Sequence, residues 1–389
     1  MAPPCPGVAR CSVPPVPFCH PEPMHLPIRS ARLSFAALVL SMACAPYRLA
    51  SQSVGASPGG SGSYSLLPQS AVAEVEPRLL RSIVLRDGKA ERLSMASDAV
   101  LVSGRIFVLD GVQRKLLVYD TLGSFIRRAA DWGDADGGLS SPVRLVDFHD
   151  SVFVLDVTHH NAVSAFDSEG RYIGARFPNL HEASASSLAI GNTIAAFGHL
   201  DASSRPGRTV VAIRDWQGRE VSAGCPSADA YLQSEQRDGM LAHFGTRIVS
   251  IRGNRVFCAQ AITPVVAILD LAGSTVGQIA VAPPFYIAPK DVGESRNQKT
   301  VLEFQSRWTA LHDFAATPQG FASIYSRYDL ANKQFSYRWF ACDGVATPSN
   351  CRTSTLPGTP VRIMAPDMVL TVVQGKDGAI TLTLLRVSR

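Results

Sequence analysis

Carboxylates and imidazoles stand at or just past the ends of short apolar runs: Asp110, Asp156, His159, His199 and Asp201. Single oxygen and nitrogen donors drawn from several segments are what a divalent cation such as calcium or zinc requires. A second group, Trp132, Trp308, Arg114, Arg307 and Tyr328, combines flat aromatic surface with guanidinium donors, a mixture suited to a peptide or a sugar. Each residue also has a plain structural role open to it. Asp110 and Asp156 suit turn caps, and both tryptophans suit packing against strand edges. His159 and His160 are adjacent, so on an extended segment their side chains point opposite ways and do not readily share one ion. No Gly-x-Ser-x-Gly elbow, phosphate loop, dinucleotide fingerprint or His-Glu-x-x-His pair occurs, and no residue is assigned as catalytic.

The elements that must position these residues come from an internal repeat. A strand, the element Asp-x-x-Gly and a second strand recur at Val118–Phe125, Ala165–Tyr172, Ile213–Glu220 and Ile268–Thr275. Asp closes such a hairpin by accepting from its own backbone, and Gly tolerates positive φ. Another hairpin precedes each copy and extends the count to six: Val100–Asp110, Leu145–Asp156, Leu188–Gly198, Ile248–Cys258, Phe314–Tyr325 and Val361–Val373. Each repeat thus reads as strands A to D of one antiparallel sheet that must stack on its neighbours. The last copy lacks strand D, and Ser82–Leu85 at the other end can supply it, closing the ring and removing two exposed edges. The fold class expected is all-β, a six-bladed β-propeller over residues 80–389.

Ile106–Phe125 (IFVLDGVQRKLLVYDTLGSF) and Val152–Tyr172 (VFVLDVTHHNAVSAFDSEGRY) resemble NHL-type repeats and the related six-bladed propellers of bacterial extracytoplasmic proteins. The likeness is clear in repeats one and two, weaker in three and four, and rests on strand pattern in five and six. The family's basic cluster between strands B and C is present as Gln113-Arg114-Lys115, shifts to His159-His160-Asn161, and is then lost. The resemblance implies binding of proteins, nucleic acids or other ligands, with enzymes in some subfamilies only. The connections read as long are all D-to-A: Arg127 to Pro142, Val221 to Gly245, Val276 to Thr309 and Cys342 to Pro360. They share one face with Asp110, Arg114, Trp132, His159, His199, Asp201, His243, Arg307, Trp308 and Tyr328, which makes it the expected ligand face.

Upstream of the repeat, residues 1–23 hold eight of the chain's 26 prolines and form an irregular extension, with Met24 as an alternative start. Residues 24–44 carry Arg29 and Arg32 ahead of the apolar stretch Leu33–Ala43, too short to span a bilayer and patterned as a signal peptide. Cys44 follows Ala43 as in a lipobox, although Ser41 and Met42 depart from that pattern, so lipidation at Cys44 and simple secretion stay as alternatives. Residues 45–79 then read as a flexible tether, because Ser51–Ser70 is rich in Gly and Ser. Either route delivers the domain outside the cytoplasm, to the periplasm or cell surface. The four cysteines of the folded part permit three pairings, of which Cys342 with Cys351 and Cys225 with Cys258 are expected.

With 46% hydrophobic and 18% charged residues the chain belongs to the globular class. A net charge of +5, without a run of Lys and Arg, lacks the concentrated basic face of a nucleic-acid reader. The function these features favour is that of a monomeric, cofactor-free binding or scaffold module. It holds an envelope protein, peptide or glycan, and it touches the membrane only through a lipid at Cys44. The alternative is a metal-dependent hydrolase or lyase of lactonase-like type, with Asp110, Asp156, His199 and Asp201 near the axis.

Overall fold

A computed structural model describes residues 64–389 apart from 134, 157–161, 178–184, 200–210, 226–245, 291–297, 346 and 388–389. These residues belong to one compact unit, Ala56–Arg389. Three strands open it: β1 (Ser65–Leu66), β2 (Val72–Glu74) and β3 (Arg78–Leu85). Blade 1 comprises β4 (Ala96–Val102), β5 (Arg105–Asp110), β6 (Lys115–Asp120) and β7 (Phe125–Ala130). Blade 2 comprises β8 (Pro142–Phe148), β9 (Ser151–Asp156), β10 (Ala162–Asp167) and β11 (Tyr172–Arg176). Blade 3 comprises β12 (Ala185–Ile190), β13 (Ile194–His199), β14 (Val211–Asp215) and β15 (Glu220–Gly224). Blade 4 comprises β16 (Arg247–Arg252), β17 (Arg255–Gln260), β18 (Val265–Leu269) and β19 (Thr275–Ala282), and a helix, α1 (Gln298–Gln305), follows it. Blade 5 comprises β20 (Ala310–Ala316), β21 (Gly320–Asp329), β22 (Gln334–Asp343) and β23 (Ser349–Leu356). Blade 6 takes β24 (Thr359–Ala365), β25 (Met368–Gln374) and β26 (Ile380–Arg386), with β3 as its outer strand.

Each first strand packs against the first strands of the neighbouring blades, and β24 meets β4, so six blades close a ring in chain order. The expected closure is present: Ile380 pairs with Leu85 and Leu382 with Ile83, antiparallel. The core lies between blades rather than within them. Phe107 and Leu116 of blade 1, for example, meet Leu145 and Val154 of blade 2. A middle strand such as β5 is covered on both faces, which is why Ile106 to Leu109 is a continuous apolar run rather than an alternating one.

Four Asp-x-x-Gly turns fold alike. The Oδ1 atoms of Asp120, Asp167, Asp215 and Asp270 each accept from the amides two and four residues on, at 2.8–3.0 Å. Gly123 has φ 84°, and a Cβ there would run into the Val84 carbonyl of the closing strand, so glycine is required for both the turn and the contact.

Two expectations are corrected. The segment Cys342 to Pro360 is not a D-to-A loop: it is the β22–β23 hairpin, and only residues 357–358 link blade 5 to blade 6. The polar strand SNCRTSTL reads as loop, yet Thr353 and Ser354 are fully buried, and Thr353 Oγ1 donates to the Trp339 carbonyl at 2.8 Å. The second correction concerns the tether, since ordered pairing begins at Ser65 and not at residue 80. β1 adds in parallel to the outer strand of blade 4, and β2 in parallel to that of blade 5. Tyr64 packs edge-on to Tyr286, and Arg338 Nη2 donates to both Glu74 carboxylate oxygens at 2.8 and 2.7 Å. Main-chain bonds and these few side chains hold the strap, so a low apolar content did not betray it. Residues 1–63, including the leader, Cys44 and the rest of the tether, lie outside the described residues.

Both expected disulfides are formed, Cys225–Cys258 and Cys342–Cys351. The first joins the residue after β15 in blade 3 to β17 in blade 4, and the second ties neighbouring strands of blade 5.

Candidate binding site on the long-loop face

The axis is filled by charge. Asp98, Arg144, Asp313 and Arg362 sit on the inner strands of blades 1, 2, 5 and 6, each beside a bulge in the A–B pairing. Arg362 Nη2 donates to both Asp98 oxygens (3.1 and 3.3 Å), and its Nη1 donates to Asp147 (2.9 Å). Arg144 approaches Asp98 at 3.7 Å and reaches Asp313 at 3.4 Å. Blades 2 and 5 are diametrically opposite, so the Arg144–Asp313 pair spans the axis. The two aspartates are used alike. Asp98 accepts from its own next amide, Ala99, and from Leu145 of blade 2, while Asp313 accepts from Phe314 and from Ile363 of blade 6. The carboxylates are buried, which calls for this complete set of partners.

The expected ligand residues fall into separate groups. Asp110 and Asp156 are buried caps: Asp110 accepts from the amides of Ser94, Val112 and Gln113, and Asp156 from those of Ser140 and Ser141. Each pins the incoming D-to-A connection to the end of its second strand. Arg114 is exposed in the following turn at φ 57°, and Trp132 is 66% exposed on the connection to blade 2, so this tryptophan does not pack against a blade edge. His199 ends β13, in register with Ala185. His159, Asp201 and His243 lie outside the described residues, which hold no cluster of three or more His, Cys, Asp or Glu arranged for a metal ion.

Arg307, Trp308 and Tyr328 fall together on the opposite side of the ring, between blades 4 and 5. A cavity of about 270 Å³ opens there. Its floor is Ile248 and Leu311 of the inner strands, and one wall is Trp308, which is buried against Phe304 of α1 at 5.8 Å. Buried Ser326, the exposed Arg327 and Phe335 also line the cavity. Neither Arg307, which is exposed, nor Tyr328, which packs edge-on to Phe335 at 5.2 Å, lines the cavity. His312 of the inner strand β20 also lines the cavity and is exposed. Desolvation by the surrounding protein pushes the His312 imidazole below its ordinary range; Asp313 opposes the shift and Arg144 reinforces it. Gln305 and Trp308, from the connection between β19 and β20, line the cavity, and described parts of that connection are anchored: Tyr286 donates to the Ile262 carbonyl at 2.9 Å, and the Ile287 amide to Thr309 Oγ1 at 3.2 Å.

Sequence reasoning named Trp308 and its neighbours but missed Arg327, Ser326 and His312. Their only signal is position, near the ends of the inner and second strands of the blade that follows the longest connection.

Among the described residues, the ring, the ion pairs across its axis and a cavity between two blades define a six-bladed β-propeller with an off-axis concavity. Solved structures share this architecture. The chain is similar to a protein described as exported, from Bacteroides fragilis NCTC 9343, at 9% identity over 84% of this chain and 100% of that one, with a TM-score of 0.58. It is also similar to a member of the duf4221 family from Bacteroides vulgatus ATCC 8482, at 9% identity over 81% and 99%, with a TM-score of 0.51. At such identities the likeness is one of fold. No protein-family model and no curated protein matches the chain.

Proposed function

We propose that the protein is a non-catalytic binding or scaffold module that works outside the cytoplasmic membrane, holding a protein, peptide or glycan on its long-loop face. The observation that carries this reading is the cavity between blades 4 and 5 beside an axis crossed by ion pairs. A concave, mostly apolar site with a few polar groups is the usual form of a ligand pocket. Two disulfides between buried cysteines fit an oxidising compartment, and the relative from B. fragilis is described as exported. The repeats of blades 1 and 2 support a kinship with NHL-like propellers. The metal-dependent alternative has less support, because Asp110 and Asp156 are engaged as backbone caps.

Capture from envelope extract tests the reading. The wild-type domain should retain a species that Ala310→Phe, which fills the cavity, loses and that Trp132→Ala, across the ring, keeps. Equal capture by all three proteins would remove the cavity from the function.

A further inference from the structure

Resting on that binding reading, we propose that the cavity between blades 4 and 5 takes an organic monocarboxylate with a compact apolar body, such as the C-terminal carboxylate of a peptide ending in an aromatic or branched residue. No acidic residue stands among the described lining, and the one formal charge is Arg327. Its Nε donates to the Ser306 carbonyl at 2.9 Å, which fixes the plane of the guanidinium and leaves its terminal N–H groups for another acceptor. Among the described residues no carboxylate lies within ion-pair distance of Arg327. The nearest acid in sequence, Asp329, is near enough for the Arg327 charge to help hold its carboxyl low, but its oxygens accept from the Ala331 and Asn332 amides and from Asn332 Nδ2. A fixed fork beside an apolar floor matches one planar carboxylate attached to hydrocarbon.

The remaining polar groups suit the same guest. Thr246 and Ser326 bring hydroxyls, Gln305 an amide and His312 an imidazole. Other chemistries fit less well. A phosphate dianion calls for several cations, and the described lining has one. The volume of about 270 Å³ admits a single side-chain-sized body and not a folded epitope.

The test is titration calorimetry of the purified mature chain with 3-phenylpropanoate and with its amide, which has the same shape without the charge. The acid should bind about tenfold more tightly than the amide, as expected for a charge-assisted hydrogen-bond pair. Arg327→Gln should erase that ratio, Arg327→Lys should keep most of it, and Ala310→Phe should abolish binding of both probes. Equal affinities, or a ratio unchanged in Arg327→Gln, would overturn the carboxylate class while leaving the cavity as a binding site. Absence of binding by either probe at millimolar concentration would also overturn it, and extract capture would still report separately on the broader reading. Should Arg327→Gln fail to fold, the ratio in wild type and Arg327→Lys decides.

Discussion

Asp98→Asn tests whether the axial ion pairs hold the ring together. In the wild type the buried carboxylate receives two amides, both hydrogen bonds at 2.8 Å, and sits against Arg362 at 3.1 Å and Arg144 at 3.7 Å. Removing one member of a buried pair costs about 3–5 kcal/mol. The loss here belongs at the lower end, because Arg362 keeps Asp147, Arg144 keeps Asp313, and the Asn oxygen still accepts an amide. The expectation is therefore about 3 kcal/mol. At an unfolding entropy of about 2.1 cal/mol/K per residue, a ring of roughly 310 residues then melts about 4–5 °C lower. Urea denaturation under non-reducing conditions measures the change, and a double-mutant cycle with Arg362→Met isolates the pair. A variant within about 0.5 kcal/mol of wild type, or strictly additive single changes, would refute the view that the axis is a stabilising plug. Binding at the lateral cavity should survive the substitution.

Three further outcomes are expected. Replacing Cys225 and Cys258 by Ser should destabilise the domain by about 3–4 kcal/mol in the loop-entropy account, with the loss seen as a lower urea midpoint; an unchanged midpoint would show the bridge to be dispensable. The Asp120 carboxyl is held below its ordinary range chiefly by the Ser124 amide, and Asp329 chiefly by the Asn332 side chain. Their contribution is therefore present above the unfolded carboxylate value of about 4 and is lost as pH falls through the lower folded value, so Asp120→Asn should flatten the acid limb of a stability-against-pH curve. Mass spectrometry of the mature amino terminus should find a diacylated peptide beginning at Cys44; an unmodified peptide starting at Ala45 or later would reject the anchor.

What could be read from the chain was whatever repeats. The Asp120, Asp167, Asp215 and Asp270 turns each carry their hydrogen bonds within five residues, so spacing alone exposes them, and the apolar runs at Ile106 and Val152 mark strands covered on both faces. The missing strand of blade 6 was visible as a deficit at one end and a surplus at the other. The cavity was not legible, because Thr246, Gln305, His312 and Arg327 become neighbours only when blades 4 and 5 meet. The axial aspartates and arginines were equally hidden, since their register depends on bulges that no local motif announces. β23 failed for a different reason: its buried hydroxyls find carbonyl partners, so hydropathy understates its burial.

The closing strand sets an order of events during synthesis. Arg78–Leu85 emerges before any blade, yet its partner Ile380–Arg386 is made only after the first five blades. Until then Leu79, Leu80 and Val84, exposed even in the finished ring, have no strand to lie against, and the apolar side of blade 1 that blade 6 will cover stays open. Loop closure across all the intervening blades is among the slowest kinds of contact to make. The nascent domain therefore has its longest vulnerable interval at the first and last blades, and holding that seam apart from other chains is a task for whatever escorts it.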